Sequence, residues 1–199
     1  MATTSEVLSV ERRDHVATLW LDSPERRNAM GPAFWQDLPR IMHELSDDPD
    51  VRAVVIAAKG PHFTVGLDLK AFGQITGTDG GRAGSDAIRR TRQFATIKRI
   101  QSTVTTVADC PKPVIAAVHG YCIGGGVDLI TACDIRLASA DALFTVRETK
   151  IAIVADVGTL QRITAAAGKG MAREMAYTGK FIPADRALAS GLVNTTRVQ

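Results

Sequence analysis

Cysteine is scarce: the three present, Cys110, Cys122 and Cys133, are an odd number with no CxxC pair and no zinc-like spacing. That usage fits a reduced compartment, and a cytoplasmic location is the expectation. Aromatic residues make up only 5% of the 199 positions, and none is interleaved with basic residues as in a nucleic-acid surface. Charge of one sign is scarce as well. The 24 Lys and Arg against 21 Asp and Glu leave a net +3, too little to imply a polyanionic partner. Long apolar runs are also missing. The most hydrophobic stretch, 113–133, is broken by His119, Asp128 and the glycines at 120, 124, 125 and 126, whereas a membrane helix needs about 20 nearly uninterrupted apolar residues. The opening MATTSE has neither the basic nor the apolar region of a secretion signal. His15, His43, His62 and His119 are scattered, with no pair at metal-ligand spacing. Nucleic acid, membrane and metal are therefore not expected as partners.

What remains is a composition of 45% hydrophobic and 23% charged residues, that of a globular domain. With no linker, repeat or low-complexity tract, residues 1–199 read as one domain. Residues 16–21 form a strand candidate closed by Asp22, Ser23 and Pro24. Over 32–45, Phe34, Trp35, Leu38, Ile41, Met42 and Leu45 recur at helical spacing, with Pro39 expected to kink the helix. Residues 51–58 form an almost wholly apolar strand, as in parallel pairing buried on both faces. A short strand at 63–66 ends in glycine. The stretch 73–86, with five glycines, reads as a mobile loop. A helix over 86–108 follows, then a strand at 114–118 opened by Pro111 and Pro113, a helix at 124–133, strands at 135–139 and 143–146, and helices from about 156. This alternation predicts an α/β fold.

The segment from His119 to Asp128, HGYCIGGGVD, carries the strongest chemical signal. Glycines between a buried strand and a helix let the backbone approach a ligand. The first helical amides are unpaired and lie at the positive end of the dipole, so the turn can hold an anion or a developing oxyanion. Tight helix–sheet packing alone would account for the glycines equally well. The segment lacks the GxGxxG and GxxxxGK[ST] patterns of nucleotide sites. A second turn, Phe63 to Leu69 (FTVGLDL), also leaves a strand through a glycine. An oxyanion hole needs amides from two segments, and these two turns form the natural pair.

Here the chain resembles the crotonase, or enoyl-CoA hydratase/isomerase, superfamily. The resemblance runs from Ser23-Pro24-Glu25-Arg26-Arg27-Asn28-Ala29-Met30 through FTVGLDL, Lys112 to Gly120 (KPVIAAVHG) and the triple glycine, to Ala187 through Val193. It implies a crotonase-like α/β fold, a ββα spiral with two roughly perpendicular sheets surrounded by helices. It also implies a bent acyl-CoA thioester whose carbonyl oxygen is held by the amides of Leu67 and Gly125. The positions implied for CoA and substrate binding are Arg27, Ala29, Val65, Gly66, Asp68, Leu69 and Gly124. No separate cofactor is expected, because coenzyme A is part of the substrate. A homo-oligomer, trimer or hexamer, is the family's habit. The chain is expected to stop short of the family's C-terminal helices, which puts that assembly in question.

The acids point to the reaction. Family hydratases carry two glutamates at positions matched here by Asp128 and Glu148, and Asp156 stands where typical hydratases have glycine. The set Asp128, Glu148, Asp156 within ADVGTLQR resembles the Δ3,5-Δ2,4-dienoyl-CoA isomerases of fatty acid β-oxidation. Shifting a diene along an acyl chain removes a proton at C2 and delivers one at C6, which suits two acids held in opposite protonation states. Asp156 is assigned to C2 and Glu148 to C6, with Asp128 tuning Glu148. Blander readings are that Asp128 and Asp156 cap helices, and that His119 is structural. The alternatives in function are hydration of 2-enoyl-CoA by Asp128 and Glu148, or a non-catalytic acyl-CoA-binding subunit. The basic run Arg82, Arg89, Arg90, Arg92, Lys98 and Arg99 reads as a solvated helix face, with CoA phosphates as a second reading. Arg26, Arg27 and Lys70 are better placed for CoA.

Overall fold

A computed structural model describes residues 5–71, 73 and 85–197. Most of the expected glycine loop, and Arg82 with it, lies outside the described residues. The chain opens with a hairpin that the apolar pattern does not announce. β1 (Leu8–Arg13) pairs antiparallel with β2 (Val16–Leu21) in the register Arg13↔Val16. The two turn residues between them, Asp14 and His15, both have positive φ (49° and 64°), as a two-residue hairpin requires. Asp-His is a weaker turn signal than Asn-Gly, and β1 turns polar outward toward its end.

From β2 onward the chain winds in repeats. β3 (Ala53–Ala58), β4 (Val114–Val118), β6 (Ile135–Ser139) and β9 (Thr195–Arg197) extend one sheet in parallel, in the order β1-β2-β3-β4-β6-β9. A second sheet contains β5 (Tyr121–Ile123), β7 (Leu143–Thr145) and β8 (Ile182–Pro183), with Thr64 bridged to Cys122 at the free edge of β5. The turns that begin with β3, β4 and β6 each follow the large-sheet strand with a bridge or short strand in the small sheet and then a helix. The helices are α1 (Pro32–Asp47), α2 (Asp86–Ala108), α3 (Gly125–Thr131), α4 (Thr159–Thr178) and α5 (Ala184–Ser190). This is the expected ββα spiral with two sheets surrounded by helices.

Several boundaries moved for physical reasons. The expected strand at 63–66 shrinks to the Thr64 bridge: Phe63 N and Thr64 N donate to the carbonyls of His119 and Tyr121 and Thr64 O accepts from Ile123 N, but from Val65 on the main chain turns to Arg27 and Met30 instead. The stretch read as strand, glycine turn and helix has β5 inserted before the triple glycine. The helix expected at 124–133 spans Gly125–Thr131, every residue of it buried. α4 is interrupted at Gly168, whose φ of 78° and ψ of 161° no helix accommodates. At Pro39 α1 runs on unbroken. Proline lacks the N–H that would bond the carbonyl of Trp35, and the buried Thr103 hydroxyl of α2 donates to that carbonyl instead, at 3.1 Å.

Candidate active site

Two sequence motifs meet as a zipper. The chain turns through Pro24–Arg26 into Arg27 and Asn28, both left-handed (φ 53° and 54°). Asn28 holds that conformation with its amide: Oδ1 accepts from Ser23 N, and Nδ2 donates to the carbonyls of Lys59 and His62, each at 2.9 Å. Sequence reasoning assigned Asn28 no task, although asparagine is among the few residues that favour this region. From this ledge the carbonyl of Arg27 accepts from Val65 N (3.2 Å), that of Asn28 from the Thr64 hydroxyl (2.6 Å), and Met30 N donates to Gly66 O (2.8 Å). Asp68 N then donates to Met30 O (3.2 Å).

The second amide-bearing segment lies against the first. Gly66 has φ +81°, and a Cβ there would stand 2.5 Å from the Ile123 carbonyl oxygen and 3.4 Å from Gly125 N. Gly124, φ +53°, donates its N–H to Thr145 O (2.9 Å), while its carbonyl accepts from Val127 and Asp128 in the first turn of α3. A Cβ on Gly126 would meet Thr64 Cγ2 at 2.5 Å. These glycines serve close packing and leave an amide unpaired at once, so the two readings of the triple glycine are compatible. The N–H groups of Leu67 and Gly125 have no protein acceptor among the described residues. Two free amides from facing turns can hold a developing oxyanion.

Both turns open on a cleft of about 600 Å³. Its walls are mainly apolar, including Trp35, Ile97, Ile100, Ile153 and Val157, and Asp128, Glu148 and Asp156 all line it. Asp128 is buried in α3, and its Oδ1 accepts from Thr159 N at 2.6 Å, the first amide of α4. The capping role foreseen for Asp128 thus exists, but for a helix elsewhere in sequence. Burial pushes its carboxyl up to about 6, against the opposing pull of Thr159 and Arg162. The Thr159 hydroxyl lies near the same carboxylate but outside hydrogen-bonding geometry. Glu148 begins the turn Glu148–Ile151. Burial raises its carboxyl to about 7, with the charges of Asp128 and Asp156 adding to the rise and backbone amides partly offsetting it. Its Oε2 is buried without a hydrogen-bond partner. Asp156 is exposed at the cleft, and its main-chain carbonyl accepts from Gln101 Nε2 of α2 at 2.8 Å. It does not cap α4, whose N-cap is Gly158.

The expected CoA positions divide. Val65, Leu67, Leu69, Gly124 and Gly125 line the cleft. Gly66 shapes it without lining it. Arg27 is exposed and Ala29 half-buried on the adjoining ledge. Asp68 is nearly buried and already engaged: Arg26 Nη2 pairs with its Oδ2, and Lys70 N donates to Oδ1. Its visible work is to brace the turn. Arg147 and Gln101, not foreseen, line the cleft as well. The buried thiols of Cys122 and Cys133 are not nucleophiles, because burial pushes the first well up and the second to about 12. His119 is structural as expected, its Nε2 lying 2.7 Å from Gly60 O. Among the described residues no group of His, Cys, Asp and Glu is arranged to hold a metal ion, and no helix is long and apolar enough to cross a membrane.

A spiral of two sheets with paired amides and three acids in one cleft has the parts for proton transfer beside a stabilised oxyanion. The model of the enoyl-CoA hydratase/isomerase family matches residues 11–198, and the chain belongs to that family. It is 45% identical over 183 residues to the mitochondrial Δ(3,5)-Δ(2,4)-dienoyl-CoA isomerase of Rattus norvegicus, covering 90% of this chain and 55% of the relative. It is 40% identical over 196 residues to the peroxisomal Δ(3,5)-Δ(2,4)-dienoyl-CoA isomerase of Arabidopsis thaliana, covering 96% of this chain and 68% of that one. A crystal structure described as an enoyl-CoA hydratase/carnithine racemase from Magnetospirillum magneticum superposes with a TM-score of 0.85 at 31% identity, over 98% of this chain and 70% of that one. The chain spans about half the length of the mammalian relatives it matches. Those relatives are named mitochondrial and the plant one peroxisomal, so they lend the cytoplasmic expectation no support.

Proposed function

We propose that the protein isomerises 3,5-dienoyl-CoA to 2,4-dienoyl-CoA. The observation that carries this reading is the convergence of two unpaired amides and three carboxyls on one apolar cleft, with burial raising Glu148 to about 7 and Asp128 to about 6. The thioester oxygen sits between the Leu67 and Gly125 amides. Asp156 takes the C2 proton, and the electron pair left there delocalises onto that oxygen, where the amides stabilise it, and along the diene as far as C6. The dienolate then collapses from the oxygen end, C6 takes the proton of Glu148, and the double bonds stand at C2 and C4. Burial suits Glu148 to be the donor, since it keeps the carboxyl protonated where an exposed glutamate would be ionised. Arg27 and Lys70, exposed on the ledge beside the cleft, are the cations available to the CoA phosphates. The relatives named as dienoyl-CoA isomerases support the same substrate.

We infer further that the working form is a homo-oligomer, supported by the large apolar side chains exposed on α2 and at the cleft margin, Phe94, Leu69 and Val154 among them. The test of the reaction is the rise in ultraviolet absorbance of the conjugated product. Glu148→Gln and Asp156→Asn should each lower the rate by about 100-fold or more, the usual share of a positioned acid or base. Full activity of Asp156→Asn would refute the two-acid scheme. Hydration of crotonyl-CoA far faster than diene isomerisation would install the hydratase reading in its place.

A further inference from the structure

Trp35 occupies the first turn of α1 and is 8% exposed, with its ring on the cleft wall. A buried indole N–H needs an acceptor, and the one it uses is the main-chain carbonyl of Met30, at 3.0 Å. That carbonyl also accepts from Asp68 N, while Met30 N donates to Gly66 O. Met30 and Leu67 therefore form a bridge, with the backbone groups on both sides of the Leu67 amide held by one residue. A trans peptide carries its C=O and N–H on opposite sides. Fixing the Gly66 carbonyl on Met30 thus turns the Leu67 N–H away from Met30 and leaves it free for a ligand.

The same pair reaches the second amide. A Cβ on Gly125 would lie 2.9 Å from Met30 Sδ and 4.0 Å from Trp35 Cη2. The backbone of Trp35 is itself anchored, because Pro39 vacates its carbonyl and Thr103 of α2 takes it. An indole that only filled space would leave Met30 O with a single donor, Asp68 N at a long 3.2 Å.

We propose that Trp35 is a positioning residue for the oxyanion site: through the Met30 carbonyl, its indole N–H fixes the aim of the Leu67 amide, while its ring backs the Gly125 turn. The inference rests on the acyl-thioester reading given above. It assigns Trp35 to the stabilisation of charge in the transition state and not to ground-state binding.

The test removes the N–H and keeps the ring. Trp35→Phe is the simple variant. Incorporation of 3-benzothienylalanine at position 35, in which sulfur replaces the indole nitrogen, keeps the shape and guards against misfolding. For both, kcat for the dienoyl thioester should fall about tenfold with KM changed less than about twofold, a fraction of the loss from deleting an oxyanion donor outright. Bound 2,4-hexadienoyl-CoA gives a second readout. Hydrogen bonds to the thioester oxygen polarise the conjugated system and shift its absorbance to longer wavelength, and that shift should shrink in the benzothienyl protein at saturation. If the shift and kcat both stay at wild-type values, or if only KM rises, the positioning role is overturned while the acyl-thioester reading stands. If the wild-type protein neither binds the probe nor shifts its spectrum, the acyl-thioester reading fails and this inference fails with it.

Discussion

Glu148 and Asp128 show how one cleft gives two carboxyls different surroundings. Both are raised chiefly by burial, but Asp128 has the Thr159 amide and the nearby Arg162 charge to offset it, whereas Glu148 keeps an oxygen without any partner. If Glu148 must be protonated to deliver its proton, kcat/KM should fall as pH rises through about 7. The ionised Asp128 contributes to holding that proton. Asp128→Asn should therefore move the falling limb to lower pH, which a pH–rate profile of the variant against wild type will show. The same burial costs stability. An acid whose folded value is raised favours folding least where it must ionise: below about 4.5 both states are protonated and nothing is lost, and between 4.5 and about 7 the unfolded chain ionises first and stability declines. Glu148→Gln should thus stabilise the fold by about 1–3 kcal/mol at pH 8 and by almost nothing at pH 4. Urea unfolding at the two pH values checks it. A variant that is more stable but inactive is the usual mark of an acid kept for chemistry.

At the scale of elements, the site is held by α2 from two directions. Its Thr103 ties the helix to α1 at Trp35, and its Gln101 ties it to the main chain at Asp156. The Trp35 side and the Asp156 side of the cleft are therefore referred to one 23-residue helix. Thr103 answers for the hydrogen bond that Pro39 cannot make. Thr103→Val keeps the shape but leaves the Trp35 carbonyl buried without that donor, and should cost about 1–2 kcal/mol in thermal or denaturant unfolding. The apolar spacing of α1 and the proline are plain in the sequence, and they argue for a kink. The carbonyl that Pro39 leaves without a helical donor is satisfied by a hydroxyl 64 positions beyond the proline (Pro39 to Thr103), and no local pattern reports such a partner. β1 and β5 escaped the sequence reading for related reasons: one is turned by Asp-His, and the other is a three-residue strand whose existence depends on β7.

For the whole molecule, the first half of α2 stands out. Residues 86–95 are all exposed, and Phe94, 63% accessible, shares this stretch with Ile88 and the basic residues Arg89, Arg90 and Arg92. The solvated basic face expected from the sequence is present, but it carries apolar side chains that a monomer rarely displays together. Sedimentation equilibrium should show association that rises with protein concentration, and Phe94→Glu should weaken it. A strictly monomeric wild type across micromolar concentrations would remove the support for a homo-oligomer.

The sequence by itself determined the alternation of strands and helices, because apolar periodicity and turn residues act over a few positions. It also marked the glycine turns, since a main chain that approaches another main chain or a ligand tolerates no side chain. The three acids stood out as residue types in a recognisable order. Only the tertiary structure decided the surroundings of each. Burial, and not sequence neighbours, raises Asp128 and Glu148 and leaves Asp156 exposed. Asp68, expected at the ligand, is drawn into an ion pair with Arg26 from a segment some 40 residues earlier. Trp35 read as one more core residue of a helix, and its link to the Leu67 turn exists only because Met30 folds between two turns. Electrostatics and hydrogen bonding act across space between segments far apart in the chain, and the spiral determines which of those segments meet.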